Sequence, residues 1–147
     1  MGISSIEKGK LGELYVFSKL IEKGAMPFLP IADVKGIDAV VLRKDGTYVD
    51  MQIKTSRSEW SAGWWDIWGL VPRDNLFIVG VMMTKEPPEV WIFPSKVYEQ
   101  YATKITSKGY TFYRLGLDSG ERKYGQELQE KLRRDYCGAC AWYLLTG

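Results

Sequence analysis

Gly36-Ile37-Asp38-Ala39-Val40-Val41-Leu42 and Tyr48-Val49-Asp50-Met51-Gln52-Ile53-Lys54, separated by a short polar stretch holding Asp45-Gly46, read as two β-strands joined by a tight turn. An Asp-Gly pair between apolar runs is a strong hairpin signal, because both residues accept the positive φ that such turns need. Side chains alternate faces along a strand. Val49, Met51 and Ile53 are therefore expected in the core, and Asp50, Gln52 and Lys54 on the opposite face. Folding the hairpin about its turn sets Asp38 beside the far end of the second strand, around Ile53 and Lys54. Asp38 stands between Ile37 and Ala39, and a carboxylate in apolar company is expensive unless something positive meets it. Lys54 is one candidate for that charge, and a metal ion is another.

Upstream, Ser4 and Glu7 fit a capping box that opens a helix running to about Lys23, with Gly24 as its stop. Leu14, Phe17 and Ile21 fall at helical spacing and are expected to form its buried stripe. Gly9 and Gly12 inside the helix point to close approach of another backbone. Glu13 borders the apolar face and is expected to point toward the hairpin.

Met26 to Ile31 reads as a short strand, at an edge because Pro27 and Pro30 interrupt it. Leu76 to Met83 is a nearly continuous apolar run, as expected of a central strand. Val90 to Phe93 is a further strand, Pro94-Ser95 starts a helix to about Tyr101, Tyr110 to Leu115 is a late strand, and Gln126 to Arg134 is a short charged helix. No internal repeat interrupts this order. The 147 residues suit one domain, of the α/β (α+β) class, with a mixed central sheet and helices packed on it.

The chain has no histidine, which excludes histidine general bases and histidine-containing zinc sites. Two carboxylates (Glu13 and Asp38), the Gln52 amide oxygen and main-chain carbonyls instead suit a hard cation such as Mg2+ or Mn2+. Lys54 can steady an attacking water or a developing phosphate charge. Metal-assisted phosphodiester hydrolysis needs these parts and no histidine. Taken singly, Asp38 and Lys54 also read as a structural ion pair, Glu13 as a solvated helix residue and Gln52 as an ordinary strand residue. Their order, spacing and element types favour the joint reading.

Gly12-Glu13, then Gly36-Ile37-Asp38, then Gln52-Ile53-Lys54-Thr55-Ser56 resemble the core of the PD-(D/E)XK nuclease superfamily. Within it they are similar to archaeal Holliday-junction resolvases and small homing or restriction-like endonucleases. The resemblance covers roughly residues 8 to 56 and implies a restriction-endonuclease-like fold and a Mg2+- or Mn2+-dependent deoxyribonuclease. It makes Glu13 the helix acid, Asp38 the central metal ligand, Gln52 the second ligand and Lys54 the catalytic lysine. The main-chain carbonyl of Ile53 completes the metal shell. It also implies a DNA substrate and a homodimer. Two departures stand out: Gly36-Ile37 replaces the nominal proline before Asp38, and Gln52 replaces an acidic residue. The second removes one negative charge, which leaves open an active nuclease or a fold that binds DNA without cutting. Asp50, one pleat away on the same face, offers a further carboxylate.

Trp60, Trp64, Trp65 and Trp68 crowd a stretch between Thr55 and Asn75 that reads as a loop. Buried packing, a partner surface and base stacking are its three readings. A net charge of +2 is too small to argue for nucleic acid, so local clusters must carry DNA binding. Lys8, Lys10, Lys35, Arg43, Arg57 and Arg73, with Trp60, are the candidates, whereas Lys131, Arg133 and Arg134 read as a solvated face. Cys137 and Cys140 lack further ligands for a closed zinc site and read as ordinary small residues. The longest apolar run is too short to span a membrane and no secretory pattern opens the chain, so an intracellular protein is expected.

Overall fold

The computed structural model describes residues 2–56, 64–116 and 126–147. Its first helix, α1 (Ser5–Glu22), begins with the expected capping box. The Glu7 N–H donates to Ser4 Oγ at 3.2 Å, and the Ser4 N–H donates to Glu7 Oε2 at 2.6 Å. The helix ends at Lys23, and Gly24 follows at φ +86°, the left-handed stop that glycine takes without strain.

The chain then builds β1 (Met26–Phe28), β2 (Ala39–Leu42) and β3 (Tyr48–Thr55), all antiparallel neighbours. β3 pairs in parallel with β5 (Leu76–Met82), whose residues are all buried, and β5 pairs antiparallel with β6 (Glu89–Pro94). The result is a five-stranded mixed sheet in the order β1-β2-β3-β5-β6. The segment joining β3 to β5 carries β4 (Trp64–Trp68). It forms a separate three-stranded sheet, β4-β8-β7, with β7 (Thr103–Ser107) and β8 (Tyr110–Gly116).

Helix α2 (Ser95–Tyr101) follows β6, and α3 (Gln126–Tyr136) and α4 (Ala139–Thr146) close the chain. One core joins α1 and α4 to the main sheet through Val16, Leu20, Val49, Met51, Ile53 and Trp142. The other lies between the main sheet and the small one, where Ile78, Trp91 and Phe93 meet Trp65, Ile67 and Leu115, with Tyr98 of α2 and Leu132 of α3. The Tyr98 hydroxyl ties α2 to the small sheet, donating to the Trp65 carbonyl at 2.8 Å and lying 3.1 Å from that of Tyr113.

Mixed sheet, flanking helices and hairpin match expectation, and so does the alternation along β3. Four details differ. The buried residues of α1 are Gly12, Val16, Phe17 and Leu20, so Leu14 and Ile21 are exposed and only Phe17 of the expected stripe is buried. Gly12 is packed against Thr55, but nothing approaches Gly9. The stretch read as a loop contains β4, in which Trp65 is buried and Trp68 half-exposed. β7 and α4 were not expected at all. Cys137 and Cys140 are free thiols, and Cys140 is exposed.

Candidate active site

Asp38 sits one residue before β2, where the short Val34–Ile37 bridge and the positive φ of Gly36 turn the chain into the hairpin. Its own N–H donates to the Met51 carbonyl at 2.8 Å. Its carboxylate Oδ2 accepts from the Ile53 N–H at 2.6 Å. β2 thus begins only at Ala39, later than the expected Gly36, and the Asp38 side chain takes the ladder position that a backbone carbonyl would have filled. Within a strand, a residue's N–H and C=O face the same neighbour. The Ile53 carbonyl therefore faces the Asp38 edge as well, beyond the end of β2.

Around this edge stand the other three residues. Gln52 is almost fully buried, and its Oε1 lies 3.9 Å from where a Cβ on Gly36 would project. Its amide has no hydrogen-bond partner among the described residues. Lys54 is half-buried and unpaired among the described residues, and its charge reaches Asp38. Glu13 accepts from Lys10 Nζ at 2.7 Å and is electrostatically coupled to Asp38. Burial pushes the Asp38 carboxyl above its ordinary range. The Ile53 N–H opposes that shift, Glu13 adds to it, and Lys54 and Lys10 pull against it. The structure thus gathers Glu13, Asp38, Gln52, Lys54 and the Ile53 main chain at one end of the hairpin.

A hard cation fits this donor set: two carboxylates, one unengaged amide oxygen and a main-chain carbonyl. The partly desolvated Asp38 carboxylate lacks a full counter-charge, which such an ion would provide. Among the described residues no three His, Cys, Asp or Glu side chains gather at one point.

The outer candidates divide. Lys10 is engaged with Glu13 at the rim, and Lys35 is exposed, its Cε close to Gly69. Lys8 is half-buried on α1. Arg73 instead holds Asp50 at 2.7 Å, and its backbone exchanges hydrogen bonds with buried Ser95. Asp50 is therefore engaged away from Asp38. Arg43 donates to the Leu144 carbonyl and covers Phe77, so it belongs to the packing of α4. Arg133 bonds Glu89 at 3.0 Å and lies over Trp91, which makes it a packing residue more than a solvated one. Arg57 and Trp60 lie outside the described residues.

The close approach expected at Gly12 is made to the Thr55 side chain. A Cβ on Gly12 would stand 2.0 Å from Thr55 Oγ1, so the glycine lets α1 lie directly on β3 beside Glu13. Gly12→Ala is expected to cost about 1–3 kcal/mol by overpacking. Thr55→Ala in the same chain should recover part of it, as a double-mutant cycle of thermal melts would show.

No family model matches the sequence, and no curated protein is similar enough to match. Among solved structures, a bacterial homing endonuclease, I-Ssp6803I, superposes with a TM-score of 0.60 at 18% identity, covering 97% of this chain and 93% of that one. The two chains share one fold, a mixed sheet flanked by helices. At that identity the likeness speaks for the fold alone, though it extends over almost the whole of both chains and so includes the small sheet and the C-terminal helices. The shared fold thus reaches well beyond residues 8 to 56, on which the sequence resemblance rests.

Proposed function

We propose that the chain is a metal-dependent endonuclease that hydrolyses DNA phosphodiester bonds inside the cell. The observation that carries this reading is the Asp38 carboxylate. It is held by the Ile53 N–H at the end of the hairpin, desolvated, and faced by Glu13, Gln52 and Lys54. Glu13, Asp38, the Gln52 oxygen and the Ile53 carbonyl would hold Mg2+ or Mn2+. A bound divalent cation supplies charge neutralisation at the phosphate.

The protein's own groups do the rest. The Ile53 N–H fixes the rotamer of Asp38, so that its second oxygen stays free to bind. Lys54, on the same strand face as Gln52, presents an ammonium to the charge that develops on the phosphate oxygens and orients the attacking water. Lys10 and Lys35 at the rim, with Lys8 on the same helix as Lys10, supply contacts to the DNA backbone.

The test is cleavage of labelled linear duplex and four-way junction DNA with Mg2+ or Mn2+, against the same reactions in EDTA. Cutting that EDTA abolishes supports the proposal, and the preferred substrate decides whether the enzyme resolves junctions. Salt-sensitive binding without cutting under either metal would establish the second reading, favoured by Gln52: a nuclease fold that holds DNA but no longer cuts it.

Gln52→Glu separates these readings further. A third carboxylate beside Asp38 and Glu13 repels both when no cation is bound, so the variant's Tm should fall in EDTA. It should recover with Mg2+, and the Mg2+ concentration for half-maximal effect should drop roughly tenfold, since affinity follows ligand charge. Thermal melts across a Mg2+ titration measure both.

A further inference from the structure

The small sheet turns Trp65, Ile67 and Leu115 to the core, so Asp66, Trp68, Tyr110, Phe112 and Arg114 stand on its outer face. That face is aromatic, and its groups adjoin one another. Trp68 lies on Phe112 with 4.4 Å between ring centroids, and Tyr110 stands at 73° to Trp68, 6.3 Å away. The Arg114 guanidinium lies 5.3 Å from the Phe112 ring, while its Nε and Nη2 donate to Asp66 at 2.7 and 2.9 Å. Phe112 belongs to neither core, yet it is buried under these neighbours. The open ring area is that of Trp68, 48% exposed, and Tyr110, 67% exposed. Two adjoining rings open to water exceed the scattered single apolar residues of an ordinary surface.

The free charge around these rings has one sign. From Thr103 to Gly116 the chain carries Lys104, Lys108 and Arg114 and no acidic residue. Lys108 (φ +50°) and Gly109 (φ +78°) make the two-residue turn between β7 and β8, which sets an exposed ammonium close to Tyr110. Asp66 of β4 is already taken by Arg114. Gly69 follows Trp68 and lies against Lys35: a Cβ there would stand 3.4 Å from Lys35 Cε and 3.7 Å from its Nζ. Lys35 in turn precedes Gly36, whose Cβ position looks onto Gln52. Lys35 therefore reaches from the rim of the candidate site to the strand end that carries Trp68.

We infer that this face is a stacking platform for unpaired nucleic-acid bases. A duplex hides its base faces within the stack and offers edges and phosphates. An unpaired strand offers ring faces to Trp68 and Tyr110 and phosphates to Lys35, Lys104 and Lys108. A protein partner fits less well, because lysine is depleted at protein interfaces. Stacking itself does not depend on catalysis. Its consequence, which rests on the nuclease reading, is a substrate class: DNA with a single-stranded segment beside the bond to be cut, since Lys35 leads from the rings toward Gln52 and Asp38.

Fluorescence anisotropy in EDTA, with a short labelled oligothymidylate and a labelled duplex of the same length, tests the platform. Trp68→Ala and, separately, Tyr110→Ser should each weaken oligothymidylate binding about tenfold, as expected for one lost stacked base. Duplex binding should change by less than about twofold. Trp68→Phe keeps a ring and should retain most of the affinity. Should Trp68→Ala fail to fold, Tyr110→Ser decides, because it removes the more exposed ring. Oligothymidylate that does not bind, that binds both variants as it binds wild type, or whose loss is shared equally by the duplex would overturn the platform. A chain that stacks single strands but never cuts with Mg2+ or Mn2+ loses the nuclease reading alone. One that cuts, yet binds oligothymidylate equally well without either ring, loses the platform alone.

Discussion

Asp38→Asn should abolish metal-dependent cleavage while leaving the fold as stable as wild type or more so. The asparagine oxygen can still accept the Ile53 N–H, so the hairpin end keeps its hydrogen bond. What disappears is the charge, and with it the carboxylate that the proposed function makes the principal ligand for a cation. A loss of about 10³-fold or more in cleavage rate is expected, comparable to or beyond removal of one transition-state donor. Lys54→Ala should show a similar loss of rate with metal binding retained, because on the proposed mechanism it removes the charge facing the phosphate and no ligand.

The stability sign follows from the raised Asp38 pKa. The unfolded chain ionises this carboxyl in the ordinary range, the folded chain only at higher pH. Between the two values the unfolded state binds fewer protons, so folding stability falls as pH rises through that window and stays lowered above it. The metal-free wild type should therefore gain stability relative to Asp38→Asn on acidification from neutral pH through the window. Added Mg2+ should remove that difference at neutral pH. Melts of both proteins across pH, with and without metal, test this. An Asn variant clearly less stable than wild type in EDTA at neutral pH would show that the charge is well compensated in the free protein.

The hairpin was legible because its signals are local. An Asp-Gly turn and period-two alternation fix both the register and the facing of Gln52 and Lys54, and the Asp38–Ile53 contact follows from them. The capping box and the β5 run were legible for the same reason. The buried face of α1 was not. Leu14, Phe17 and Ile21 form as good a stripe as Val16 and Leu20, and only the seating of Gly12 on Thr55 decides between them. A helix with two apolar faces shows the same pattern whether one or both are covered. The tryptophan stretch failed differently. Trp64 to Trp68 lacks clean alternation, and its strand exists because β8, about fifty residues later, pairs with it. Such a partner leaves no mark in the local sequence. Gln52 was singled out by its place one pleat from Lys54, whereas the engagement of Asp50 by Arg73 depended on a loop whose path the sequence does not specify.

Gly80→Ala should be among the most destabilising single methyl additions in the protein. A Cβ on Gly80 would lie 2.4–2.7 Å from the Trp65 ring, in the middle of a buried central strand. Neither side can yield cheaply. Gly80 pairs with Lys54 on one side and Trp91 on the other, so the strand is held by both ladders. Trp65 is buried, is in contact with Trp91, and has its own carbonyl bonded by Tyr98. The glycine exists to let an indole lie flat on the sheet, which is how the small sheet comes close to β3 and its Lys54. Overpacking at such a place is expected to cost about 3 kcal/mol, the upper end of its usual range. For a chain of this size that is a fall in Tm of roughly 10 °C. Trp65 also carries a buried indole N–H without a partner among the described residues, so exchanging it for a smaller ring gives up no hydrogen bond to them. Gly80→Ala with Trp65→Phe should accordingly be more stable than the sum of the two single changes, a coupling that thermal melts of the four proteins would read. Because Lys54 is the paired neighbour of Gly80, the single variant should also lose cleavage below its melting range, and the double variant should regain part of it. Additive losses of stability would show instead that the sheets part without the ring and strand being in contact.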